Sequence, residues 1–306
     1  WKTTFNSAGR LTMTQDSSVP TGKGFANSLK LACTTADTSV AAGEYFFLQQ
    51  NLEGQNLQGF AKGTSDAKPF ALSFWVKGNA SATYVAELYD NDNTRQISKT
   101  FSVTTDWTRI ELTYPADTTG ALDDDNAKSL NLAIWLHAGT TYTSGTLNSS
   151  AWASNTNANR AAGISSFYDS TSRTFFITGV QLEVGQNPTS FEHEPYEETF
   201  RKCQRYFQQL HYRANVVIRG GYGHTGEYWT VNLATPMRAT PTSADNSGSG
   251  SISYSNCDSF SLTTSATYGR ETPTVAAYVH PNDSTYFYFY PAAGGADYVK
   301  DFSAEL

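Results

Sequence analysis

The stretch Phe70-Ala71-Leu72-Ser73-Phe74-Trp75-Val76-Lys77 decides the architecture. Phe70, Leu72, Phe74 and Val76 fall at every second position, the period of a strand that lays one face on a core. Working outward, the same period recurs. Residues 28–34 set Leu29, Leu31 and Cys33 on one face, and residues 44–50 carry Tyr45-Phe46-Phe47-Leu48. Residues 83–89 read as the pairing partner of Phe70 to Lys77, before Asp90-Asn91-Asp92-Asn93 turns the chain. Residues 97–103, 107–114, 130–136 and 174–184 complete the set, with a phase shift at Thr178-Gly179 that predicts a bulge. Short strands with no helical period between them predict an antiparallel β-sandwich over residues 1–192. Cys33, in phase with two leucines, is expected as a small buried hydrophobe.

Composition agrees with an all-β chain. Aromatic residues make up 14% of the 306 and charged residues only 16%, with 39 Thr and 31 Ser. Thr and aromatic side chains suit pleated surfaces, and Ser and Asn suit turns, so coiled coils and long helical bundles are excluded. A net charge of −7 speaks against nucleic acid as a partner. No apolar run approaches the roughly 18 residues of a membrane-spanning helix, so membrane insertion is not expected. Cys33, Cys203 and Cys257 are odd in number and far apart, which offers neither a disulfide framework nor paired zinc ligands. The start at Trp1, with neither an initiator Met nor a signal peptide, leads to the expectation of upstream processing or a longer parent chain.

Several segments carry a family resemblance. Ser28-Leu29-Lys30-Leu31, residues 45–50, 69–77, Asp106-Trp107-Thr108-Arg109 and residues 176–183 resemble, in that order and spacing, the jelly-roll carbohydrate-binding modules found on glycanases and phage tail proteins. Residues 52–60, 87–96, 179–183 and 201–207 more specifically resemble structural proteins of marine tailed phages, commonly tail fibre or receptor-binding components. The resemblance implies a virion component on the outer surface of the particle, with host surface glycan and other virion proteins as partners. Many such modules carry an acidic residue just before the Val of the last strand. Thr178-Gly179 stands there instead, which puts a structural calcium in doubt.

Residues 193–213 read as a short helical junction. Pro195 followed by Glu197 and Glu198 starts a helix. Tyr196, Phe200, Cys203, Phe207 and Leu210 then recur at spacings of 4, 3, 4 and 3, a two-heptad seam that would join three copies as a homotrimer. Two other readings stay open: a single amphipathic helix on its own domain, or a helix that ends near Cys203 and passes into a strand. Residues 214–306 form a smaller C-terminal β-domain, for oligomerisation or host contact.

Catalytic motifs are missing. There is no His-Glu-x-x-His, no Gly-x-Ser-x-Gly elbow and no phosphate-binding loop, and the five histidines show no ligand spacing, so neither enzyme activity nor a cofactor is expected. Asp90-Asn91-Asp92-Asn93 and Asp123-Asp124-Asp125-Asn126 fit turn chemistry, with a loop calcium as the alternative. The binding signal is aromatic, because sugar C–H faces stack on flat rings. Residues 139–163, rich in Gly, Ser, Thr and Asn, carry Tyr142, Trp152 and Arg160. Trp152 is either a ligand contact or an anchor for its loop. Tyr286, Tyr288 and Tyr290 share one face of a strand whose Phe287 and Phe289 read as core, and Tyr222 and His224 in a Gly-rich loop would extend that face; a subunit interface is the competing use. The expected function is adhesion of a phage fibre to host glycan. A structural decoration or head-fibre protein is the alternative, and a polysaccharide depolymerase with a carboxylate pair the third.

Overall fold

The period-two pattern closes into two stacked sheets in the computed structural model. Eleven strands come from the first 184 residues: β1 (Lys2–Asn6), β2 (Arg10–Asp16), β3 (Ser28–Thr35), β4 (Tyr45–Glu53), β5 (Phe70–Gly78), β6 (Ala82–Asp90), β7 (Arg95–Val103), β8 (Thr108–Tyr114), β9 (Lys128–Ala138), β10 (Ala153–Ser154) and β11 (Thr174–Val184). One antiparallel sheet runs β1-β4-β9-β6-β7-β10 and the other β2-β3-β11-β5-β8. A single helical turn, α1 (Thr140–Thr143), follows β9. The structure describes residues 1–212 and, beyond them, 218–220, 227–230, 234–239, 242–247, 252–254, 259–264, 273–278, 285–289 and 298–303. No helix among the described residues is long and apolar enough to cross a membrane.

The inner faces meet as the alternation requires. Phe46, Leu48, Leu88, Leu132 and Ile134 of the six-stranded sheet pack with Leu31, Phe70, Leu72, Phe74, Phe175 and Ile177 of the five-stranded one, all buried. Cys33 is buried in the same cluster. Burying side chains of this size stabilises by about 1.5–3 kcal/mol each, so this interface is the main source of stability.

One expected pairing is corrected. β6 does not pair with β5. It lies between β7 and β9 in the opposite sheet, while β5 sits between β8 and β11. The chain crosses from one sheet to the other at Gly78, whose N–H donates to Thr104 O at 2.8 Å. A Cβ there would stand 2.9 Å from Val103 Cγ1, so the crossing is built for glycine. The bulge in β11 lies where the phase shift put it. Its register with β5 slips between Thr178 and Gln181, and Gly179 takes φ +61°.

Buried charge ties the loops at one end. Lys62 is fully buried, 2.5 Å from Asp90 and 3.1 Å from Asp117, and it also donates to the carbonyls of Thr119 and Gly120. Arg95 pairs with Asp117 at 2.8 Å. Asn93 donates to both oxygens of Asp90. Burial alone would raise the Asp117 pKa. The hydrogen bonds from Arg95 and Lys62 hold it below the ordinary value instead.

The chain divides into two compact units, Trp1–His193 and Glu194–Leu306. The second opens with α2 (Tyr196–Gln204) and continues through β12 (Phe207–Tyr212), β13 (Ile218–Gly220), β14 (Glu227–Thr230), β15 (Thr242–Ser247), β16 (Ile252–Tyr254), β17 (Ser259–Thr264), β18 (Pro273–Tyr278), β19 (Thr285–Phe289) and β20 (Tyr298–Ser303). They form three three-stranded sheets, β12-β20-β15, β13-β19-β16 and β14-β18-β17. The heptad seam is corrected here. Tyr196, Phe200 and Cys203 lie on the helix, but Phe207 and Leu210 belong to β12, opposite Ser303 and Lys300 of β20. The buried Gln208 side chain stops the helix by donating to Gln204 O at 3.1 Å. Tyr196 and Phe200 remain 75% and 48% exposed, so a single turn of apolar helix face stands where two heptads were expected.

Removing the Lys62 ammonium leaves the buried Asp90 without its cation and Asp117 with Arg95 alone. Lys62→Met is expected to cost the first unit roughly 3–5 kcal/mol in urea unfolding at neutral pH. Because the Asp117 pKa is depressed in the fold, its contribution is present above about pH 3.9 and fades as acid protonates it below that. The gap between variant and wild type should therefore narrow in acid, which unfolding curves at several pH values will check.

Candidate functional site

The outer face of the six-stranded sheet carries an ordered array of polar and aromatic side chains. Register places Asn51, Asn131, Tyr89 and Gln96 in one row across β4, β9, β6 and β7. The next row is Gln49, Ala133, Glu87 and Ser98, and the third is Phe47, Trp135, Val85 and Thr100. Their chain neighbours Leu48, Leu132, Leu88 and Ile97 point into the core, so period two fixes these rows on the opposite side.

Half of this face is roofed. Tyr142, Leu147, Ala161 and Ile164 of the loop after β9 pack with Tyr45, Phe47, Val85, Ala133 and Trp135 as a second apolar cluster. The loop is pinned to β7, with Asn148 Nδ2 donating to Gln96 O at 2.8 Å and Ser98 N to Asn148 O at 2.8 Å. From its far end Arg160 reaches the buried Glu87. Arg160 Nε donates to Oε1 and Nη2 to Oε2, both at 2.8 Å, and Trp135 Nε1 donates to Oε2 at 2.8 Å. The guanidinium carbon lies 4.9 Å from the ring centroids of both Tyr89 and Trp135. Burial works against the Arg160 charge, yet the Glu87 carboxylate prevails and holds its pKa above the ordinary value.

Beside this roofed corner the amides stand in a chain of hydrogen bonds. Thr4 Oγ1 donates to Gln49 Oε1 at 3.2 Å, Gln49 Nε2 to Asn51 Oδ1 at 2.7 Å, and Asn91 Nδ2 to Asn131 Oδ1 at 3.1 Å. Tyr89, Asn91 and Asn131 are half-buried. Gln96 Oε1 and Ser98 Oγ are buried acceptors without a hydrogen-bond partner. The open part of the face therefore combines the half-buried Tyr89 ring, a fixed cation and the half-buried amides of Asn91 and Asn131. Glu87 has no part in acid–base chemistry here, since both of its oxygens are already filled by Arg160 and Trp135.

The predicted site residues separate. Arg160 and Tyr142 belong to this face, Arg160 beside Tyr89 and Tyr142 in the apolar roof with its ring 5.3 Å from that of Trp135. Trp152 does not join them and is corrected from ligand contact to anchor. It is only 7% exposed, packs against Phe70, and donates from Nε1 to Pro115 O at 2.9 Å. Its large apolar area is worth more in the core than in water. Tyr286 and Tyr288 lie on β19, opposite Arg219 and Ser253. Tyr222, His224 and Tyr290 lie outside the described residues. Glu87, Tyr89, Asn131, Asn51, Gln49 and Gln96 went unread in the sequence. The available signal was Glu87 itself, an acid set inside the apolar run Val85-Ala86-Glu87-Leu88.

No family model matches the sequence, and no curated protein matches it. Solved structures superpose on part of the chain. A CBM4 module is 14% identical and matches 60% of this chain and 79% of its own, with a TM-score of 0.29. A family 11 carbohydrate-binding module from Clostridium thermocellum, solved with a beta-1,3-1,4-mixed-linked tetrasaccharide, is 12% identical over 63% of this chain and 91% of its own, at 0.32. The enzymatically active domain of tailspike protein 4 from bacteriophage CBA120 is 14% identical over 60% of this chain but 19% of its own, at 0.32. At scores this low, none of these likenesses carries a ligand or an activity over to this chain.

The Glu87–Arg160 pair can be weighed directly. Arg160→Met leaves a carboxylate unpaired inside the sheet and is expected to cost about 3–5 kcal/mol. Adding Glu87→Gln should recover most of that loss. A double-mutant cycle in urea reads the coupling, and additive losses would show that the pair does not hold the loop.

Proposed function

We propose that the first unit binds a glycan chain non-covalently on the outer face of its six-stranded sheet. The observation that carries this reading is the half-buried pair Asn131 and Tyr89, neighbours in register on β9 and β6, beside an arginine already fixed by Glu87 and two rings. A pyranose needs an aromatic ring for its C–H face and paired donors and acceptors for its hydroxyls. Tyr89 supplies the first, and the amides with Arg160 supply the second. Because these groups are held by the sheet and by each other, little side-chain entropy is lost on binding. The filled oxygens of Glu87 favour binding without cleavage at this position.

In the wider reading the chain is a virion fibre component of a tailed phage, set on the particle's outer surface and touching host glycan and other virion proteins. The segments that resemble structural proteins of marine tailed phages support that setting. Each site would be weak, and several copies on one particle would raise avidity by orders of magnitude. Assembly into a homotrimer would cover the exposed Tyr196 and Phe200 of α2.

A glycan array probed with the intact chain tests the binding face. Tyr89→Ala and Asn131→Ala, each with an unchanged circular dichroism spectrum, are expected to lose at least about tenfold in affinity, or about 1.4 kcal/mol. Tyr288→Ala asks the same of the second unit. Unaltered binding in both first-unit variants would discard the site.

Solution mass at several concentrations tests assembly separately. Three times the 33.4 kDa chain is expected, and a persistent monomer would remove the trimer.

A further inference from the structure

Away from that array, three acceptors converge at one end of the first unit. Asp37 lies in the loop after β3, Glu44 just before β4, and His137 near the end of β9. One ligand atom from each lies within 4.8 Å of the others. His137 is fully buried, and its Nδ1 is 2.8 Å from Ser166 Oγ. That hydroxyl also accepts Tyr168 N–H at 3.1 Å, which fixes its position beside the ring. The Tyr168 ring, 5.2 Å away, fixes the imidazole plane. Nε2, on the other side of the ring, faces the carboxyl groups of Asp37 and Glu44. It stands 3.7 Å from Glu44 Oε2, beyond hydrogen-bond reach, and it is a buried polar atom without a partner.

The carboxylates are equally fixed. Asp37 accepts from Ser7 Oγ at 2.9 Å and Ser39 N at 3.2 Å, while Glu44 Oε2 accepts from Ala41 N at 2.9 Å. Two carboxyl groups and a buried ring nitrogen without a hydrogen-bond partner therefore face one small volume.

We propose that Asp37, Glu44 and His137 bind a divalent cation of the zinc class, as a clasp between the loop before β4 and the end of β9. One ring nitrogen with two carboxylate oxygens suits zinc, whereas calcium takes six to eight oxygens. Zinc bonds of about 2.0–2.2 Å set neighbouring ligands about 3.3 Å apart, close to the 3.7 Å between His137 and Glu44. Ser166, on the far nitrogen, is the positioning residue that sets the tautomer.

The intact chain, stripped with a chelator, is titrated calorimetrically with zinc chloride, and with cobalt chloride under visible absorption. One equivalent is expected, with cobalt bands of a nitrogen–oxygen site and a raised unfolding temperature. Glu44→Gln should weaken zinc binding at least tenfold, and Ser166→Ala by about 10- to 100-fold while leaving the stoichiometry at one. Calcium and magnesium should not compete. Should His137→Gln fail to fold, Glu44→Gln, whose side chain is partly exposed, gives the answer alone. No zinc bound at millimolar concentration, or equal binding by wild type and Glu44→Gln, would overturn the clasp.

Discussion

A carboxylate placed in the middle of a sheet has to be neutralised where it stands, and Glu87 imposes that demand on the first unit. Arg160 answers it from more than seventy residues away in sequence, with two hydrogen bonds on a fully buried partner. The loop that carries Arg160 is thereby fixed against the sheet, and its apolar residues then roof Trp135 and Val85. The same contact lays the guanidinium against Tyr89, at the boundary between the covered and uncovered parts of the face. Charge compensation, loop placement and the shape of the candidate site follow from one ion pair. Ion pairs of this kind add little net stability over an apolar substitute, but breaking one is costly, so they define geometry more than they strengthen it.

Trp152 and Lys62 do similar work at the next corner. The indole enters the sandwich beside Phe70, and the Lys62 ammonium lies 5.1 Å from its ring centroid while pairing with Asp90 and Asp117. A long polar loop is thus held at two points, one apolar and one ionic. This explains how a segment so poor in hydrophobic residues stays ordered, since neither contact needs a local secondary structure.

Alternation carried the sandwich because a strand with one buried face repeats every two residues, and Phe70, Leu72, Phe74 and Val76 show it plainly. β1 and β2 were not legible. They are edge strands, and exposed positions such as Phe5 and Met13 blur the inside–outside contrast. The mistaken pairing of β5 with β6 has a related cause, because period two says which face is buried and nothing about which neighbour is bonded. Phe207 and Leu210 continued a helical spacing by chance across the end of α2, where the buried Gln208 side chain stops the helix. Trp152 in a polar loop reads the same whether the ring turns inward or outward. Asp37, Glu44 and His137 were out of reach for a different reason, since three single residues from separate elements leave no spacing to recognise.

β11 has a consequence for how the chain is made. It lies at the centre of the five-stranded sheet, between β3 and β5, yet it is the last strand of the first unit to leave the ribosome. Until residues 174–184 emerge, β2–β3 and β5–β8 are two separate ribbons with open inner edges. Non-local pairing of this kind folds slowly, and unpaired edges invite association with other chains. The nascent protein therefore passes through a period of vulnerability that ends only when its central strand slots between the halves, as a keystone does.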